Sequence, residues 1–171
     1  MTSENISNEL KEHSIHRLKG FLDKNITCLD MLSDEEIWRK PNDSSNSVGH
    51  LVLHLCGNLR QYIITTLGQT EDNRQRDLEF ESSDKQDKEQ LKALLQETVN
   101  KAVTVISKCS DKGMTDLKHV QAYHYSGVGI IVHAVEHFSH HTGQIIFWTK
   151  LLKNKDLAFY KGIDLNKKHN V

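Results

Sequence analysis

The sequence predicts an all-α fold, a four-helix bundle, on three observations. A single proline, Pro41, occurs in 171 residues, and because proline breaks helix interiors its scarcity permits long uninterrupted helices. Four stretches repeat apolar residues at three- and four-residue intervals, the period of a helix with one buried face. No internal repeat and no strand-like alternation stands out. A chain of this length supports one continuous core, read here as a single domain over residues 1–152 followed by a polar tail over 153–171.

The first helix is expected from about Ser7 to Leu32, with Leu10, Leu18, Phe21, Leu22, Ile26, Leu29 and Leu32 along its apolar stripe. Ser33-Asp-Glu-Glu36 has the form of a capping box and opens a short helical turn towards Trp38. Pro41 to Asn46 reads as a loop, and Ser47 as the N-cap of a second helix that continues to Leu67 before Gly68. Residues 68–84 are strongly polar. A third helix fits Lys85 to Lys108, its first turn a solvated run of mixed charge, with Leu91, Leu94, Leu95, Ala102, Val105 and Ile106 facing inward. Residues 109–126 read as loop, and the fourth helix spans about Gly127 to Leu152. A helix of about 21 residues is roughly 32 Å long. The polar linker of about 17 residues stretches to roughly 56 Å, enough to return along the bundle, so helices 2 and 3 can run parallel through a crossover.

Composition narrows the function classes. The net charge is −1, so there is no basic field of the kind that attracts nucleic acid. No stretch approaches the roughly 20 apolar residues of a membrane span, and Met1 to Asn5 lacks the basic and apolar regions of a secretory signal. Cys28, Cys56 and Cys109 are odd in number and widely spaced, which points to reduced thiols and a cytoplasmic protein. Neither a Ser-His-Asp set nor a phosphate-binding loop is visible.

The chemistry concentrates in His133-Ala-Val-Glu-His137-Phe-Ser-His140-His141-Thr-Gly-Gln144, which holds four of the chain's 11 histidines. Residues four apart on a helix share a face, so His137 and His141 lie in one stripe with Ile130, Ala134, Ile145 and Trp148. Burying imidazoles among apolar side chains is costly unless their nitrogens find partners, and a divalent metal suits paired histidines at this spacing. The second helix adds His54, on a face with Leu51, Asn58 and Tyr62. Three neutral imidazoles from two helices would leave an ion its full charge and an open coordination position, the style of a catalytic site. Satisfied core histidines are the bland alternative. Gln144 and Asn58 are placed by helical phase to orient ligands, and His133 to line the site. His140 is expected on the flank and His50 at the pocket rim. Gly57 and Gly143 are costly in helices and suggest close helix approach. Tyr62, Tyr123, His124 and Tyr125 are candidate acids or bases near the mouth. Cys56, about 160° from His54, should face away from the metal.

Three segments together, Val48-Gly-His-Leu-Val-Leu-His54-Leu-Cys-Gly57-Asn58, Arg76-Asp-Leu-Glu-Phe80 and His137-Phe-Ser-His-His141-Thr-Gly143-Gln144-Ile, resemble the DinB-like superfamily. That superfamily includes bacillithiol transferases and many damage-inducible proteins of unknown activity. The resemblance spans about Leu10 to Leu152 and is nearest to an uncharacterised subfamily. It implies a four-helix bundle with a long crossover between helices 2 and 3, a metal triad at His54, His137 and His141, and a homodimer. Zinc or nickel is the expected ion, since imidazole suits both and three nitrogens disfavour manganese or magnesium. The implied chemistry is activation of a small thiol for transfer to an electrophilic small molecule. The alternatives are metal-dependent hydrolysis and a non-catalytic metal-binding stress or interaction protein. The Arg76–Phe80 element is expected to pin the crossover by a salt bridge and a buried Phe80.

Overall fold

A computed structural model describes residues 3–81 and 86–168, with side chains from Ile6 onward. Helix α1 (Ser3–Met31) is followed by the short α2 (Asp34–Trp38), opened by the expected Ser33–Glu36 capping box. Helix α3 (Val48–Leu59) starts at Ser47 and passes directly into an eight-residue π-helical segment, Arg60–Leu67. A single turn, α4 (Leu78–Glu81), lies within the polar linker. Helix α5 (Lys88–Lys108) is capped by Asp87; the expected start at Lys85 lies outside the described residues. Helix α7 (Gly127–Lys153) ends at Asn154, which takes a left-handed φ of 46°.

The four long helices share one core: α1 and α3 each pack against both α5 and α7. Helices α3 and α5 run parallel. The Trp38 indole N–H donates to the Gln86 carbonyl at 2.9 Å and the Lys88 backbone N–H to Asp34 Oδ1 at 2.8 Å, which fixes the start of α5 beside the start of α3. At the other end Gly68 lies against Val105. The linker therefore returns along the molecule, as its length allowed. Between α1 and α7, the Phe21 and Phe138 rings stack with centroids 6.3 Å apart, and Asn25 Nδ2 donates to Thr142 Oγ1 at 2.9 Å in the buried interior.

Residues 109–126, expected to be loop, are structured. They form a short helix α6 (Asp111–Thr115) and an antiparallel hairpin of β1 (Leu117–Val120) and β2 (Tyr123–Ser126), with Val120 opposite Tyr123. Strands of four residues are too short to show alternation, and the turn uses Gln121, at φ 53°, where glycine or asparagine is the usual signal. The tail beyond Lys153 packs Leu157 and Phe159 against the core and sets the Lys24 ammonium over the Phe159 and Tyr160 rings; its last three residues lie outside the described set. No described helix is long and apolar enough to cross a membrane.

Candidate metal centre

Helices α3 and α7 meet at three imidazoles. His54 is buried, while His137 and His141 are half-buried. One ligand nitrogen from each falls within 4.8 Å of the others, and among the described residues no Cys, Asp or Glu completes the group. The ring centroids are separated by 4.9 Å for His54–His137, 5.0 Å for His54–His141 and 4.5 Å for His137–His141. Helical phase had paired His137 with His141, and the resemblance had added His54.

Their neighbours decide which nitrogens are available. His54 Nδ1 lies 2.9 Å from Glu79 Oε2. Burial raises the Glu79 pKa, but hydrogen bonds from Arg74 and His54 outweigh it and hold the carboxyl below its ordinary range. An ionised carboxylate only accepts, so His54 Nδ1 carries the hydrogen and Nε2 presents its lone pair. On α7, His141 Nδ1 donates to Gln144 Oε1 at 2.7 Å, which again leaves Nε2 bare. His137 Nε2 faces His54 Nε2 at 2.9 Å. Burial, followed by the neighbouring imidazoles, pushes the His137 pKa down to about 3, so this ring is neutral at ordinary pH. Burial lowers the His141 pKa as well.

This donor set fits a divalent ion. Bonds of about 2.1 Å in a tetrahedral site put ligand nitrogens roughly 3.4 Å apart, between the 2.9 Å of the closest pair and the 4.8 Å limit of the group. The hydrogen now shared between His137 and His54 is the one an ion would displace.

Arg74, and the contact of Glu79 with His54, escaped the sequence reading. Arg74 grips Glu79 through Nε at 2.7 Å and Nη2 at 2.9 Å, and its Nη1 donates to Gln61 Oε1 at 2.8 Å. Gln61 in turn donates to Asp72 at 2.8 Å. The salt bridge expected of the Arg76–Phe80 element is thus made by Arg74, while Arg76 lies over the Phe80 ring and half-buried Phe80 packs 5.1 Å from the His54 ring. Gly57 makes this docking possible: a Cβ there would sit 1.9 Å from Glu79 Oε1 and 2.9 Å from Arg74 Nε. The glycine admits the crossover, not a neighbouring helix.

The remaining candidates separate cleanly. His133 lines the site, its ring stacked 4.3 Å from Tyr62 and 5.7 Å from His137. Tyr62 is buried and donates to Gln121 Oε1 at 2.8 Å, while Tyr125 lies 6.0 Å from His133. Tyr123 stacks on Tyr125, and His124 pairs with His119 across the hairpin. His140 is exposed on the flank, 5.0 Å from His141. His50 is not at a rim. It is buried, takes the reciprocal position of a capping box with Ser47, and meets the Trp38 ring edge-on. Asn58 is buried, and its Oδ1 has no hydrogen-bond partner among the described residues. Cys56 faces Thr98 on α5, and burial pushes its thiol up to about 12. Gly143 has no atom within 4 Å of a built Cβ, against the expectation of close helix approach. It lies instead on a groove of about 680 Å³, together with His141, Gln144, Leu51 and Trp148.

Solved structures share this helical fold. The chain resembles a DinB-like protein from Bacillus subtilis at 16% identity and a TM-score of 0.67, covering 86% of this chain and 96% of that one. A DinB-like protein from Bacillus cereus matches at 14% identity and 0.66, over 83% and 92%. A conserved protein from Enterococcus faecalis matches at 17% and 0.64, over 91% and 99%. Within this fold the chain belongs to the family described as protein of unknown function DUF1572, whose model matches residues 5–164. No curated protein matches it significantly.

Proposed function

We propose that this protein is a metal-dependent transferase that activates a small thiol for attack on an electrophilic small molecule. The observation that carries the reading is an incomplete ligand set beside open space. Three imidazoles converge without a fourth protein ligand among the described residues, and one of them, His141, forms part of the groove wall. A structural site is normally closed by four protein ligands. His54, His137 and His141 would hold zinc or nickel, both suited to imidazole. When bound, the ion supplies the Lewis acidity that makes a thiol nucleophilic near neutral pH.

The chain's own residues do the rest. Glu79 keeps the His54 hydrogen on Nδ1, and Gln144 does the same for His141, so both rings stay oriented without the ion. The transfer forms a sulfur–carbon bond and breaks the bond between that carbon and its leaving group, which departs with the electron pair; the thiol proton passes to solvent. In an assay of several small thiols against a neutral alkyl halide, metal-loaded wild type should outpace metal-free protein and His54→Ala by about a hundredfold or more. Equal rates for all three would remove the reading, and metal-dependent ester hydrolysis without thiol transfer would replace it with a hydrolase.

A further inference from the structure

We infer that the groove beside His141 is the seat of the electrophile, and that it selects a neutral, largely apolar small molecule over an anionic one. The inference rests on the transferase reading for the reaction it serves, but the groove is defined by its own geometry. Its volume of about 680 Å³ lies within the roughly 300–1,000 Å³ of small-molecule sites. Leu51 and Trp148 form apolar walls, and Phe147 and Leu151 stand on the rim. None of its lining residues is Asp, Glu, Lys or Arg. Away from the ion itself, a phosphate or carboxylate would therefore lose its hydration against these walls without gaining a counter-ion, which is costly. A thiol bearing carboxylates has the same difficulty, so the groove suits the other reactant.

Gly143 is the second, independent observation. A glycine inside a helix costs roughly 0.5–1 kcal/mol relative to alanine, and packing gives no reason for this one, because a Cβ would meet nothing within 4 Å. The empty space over Gly143 is the groove itself, two residues from His141. Gly143 and His141 lie about 160° apart around α7, so a side chain at 143 would fill the edge of the groove away from the ligand nitrogen. Phe147, one turn further along α7, is 69% exposed, and Leu151 is 60% exposed. Large apolar side chains left in water at the mouth of a groove gain by covering an apolar guest.

Two probes with one ring system and different charge test this. The full-length, metal-free chain is titrated by calorimetry at pH 7 with 2-naphthol, which is neutral, and with 2-naphthalenesulfonate, which is anionic. Saturable one-site binding of the naphthol is expected, with the sulfonate about tenfold weaker or worse. Gly143→Leu should weaken naphthol binding about tenfold while metal uptake stays at the wild-type level and the melting temperature does not fall. Absent naphthol binding, equal sulfonate binding, or unchanged affinity in Gly143→Leu would each overturn the inference. Loss of naphthol binding as a dimer forms on concentration would also overturn it, by assigning the groove to a second copy of the chain. Repeating the naphthol titration on metal-loaded protein, beside the thiol-transfer assay, separates the two readings. Naphthol binding without any thiol transfer sinks the reaction and leaves the groove; transfer without naphthol binding does the reverse.

Discussion

Gly57 and Gly143 occupy equivalent-looking places, each a glycine two or three residues beyond a proposed ligand on a core helix. Gly57 lies under a full load: the Glu79 carboxylate and the Arg74 guanidinium rest where its side chain would be. Gly143 has nothing above it but the groove. The metal centre therefore has a closed side, where the crossover fixes His54, and an open side, where His141 faces space for a guest. Missing side chains serve opposite ends here, one admitting the protein's own carboxylate and the other leaving room for a foreign molecule. A pattern of helix glycines near histidines does not by itself distinguish these uses.

The closed side should be the more sensitive. Glu79→Gln keeps the shape but removes the charge, and orienting partners of metal ligands are worth about 10–100-fold in affinity; zinc titration against a competing chelator reads the loss. If affinity is unchanged, the crossover is packing and does not tune the site. Gly57→Ala pushes a methyl into the ion pair. Glu79 can swing aside, but its bonds to Arg74 and His54 break, for an expected loss of about 2 kcal/mol by denaturant melting. Gly143→Ala, by contrast, should stabilise the fold by about 0.5–1 kcal/mol. A destabilising Gly143→Ala, or a neutral Gly57→Ala, would erase the distinction between the two sides.

A smaller effect follows from His137 in the metal-free chain. Its folded-state pKa, about 3, lies below the ordinary histidine value of 6.5, so the unfolded chain binds a proton that the folded chain refuses. This contribution to stability is intact above pH 6.5 and falls as the pH drops towards 3. Metal-free wild type should lose stability over that window more steeply than His137→Phe in urea melts. Parallel pH profiles would mean that the ring is not buried as neutral imidazole.

The triad was legible because it obeys local geometry. His137 and His141 share a stripe by their four-residue spacing, and His54 sits in an apolar run where an unpaired imidazole is out of place. The contact of Glu79 with His54 was not legible, because it arises only when the crossover folds back across a sequence separation of 25. The usable signal was Gly57, whose reason is the carboxylate above it. His50 was misjudged because the reciprocal member of a capping box is usually Glu or Gln, and here a ring nitrogen takes that role for Ser47. The parallel course of α3 and α5 was allowed by linker length and implied by the resemblance, whereas the hairpin left no periodic trace in four-residue strands.

The central claim is that His54, His137 and His141 hold one divalent transition metal. Elemental analysis of protein prepared without a histidine tag tests it most directly, on wild type, His137→Ala and His133→Ala side by side. About one zinc or nickel per chain is expected in wild type and in His133→Ala, with loss of stoichiometric metal in His137→Ala. Metal-free wild type that fails to take up either ion on addition, or full occupancy in His137→Ala with loss in His133→Ala, would contradict the assignment.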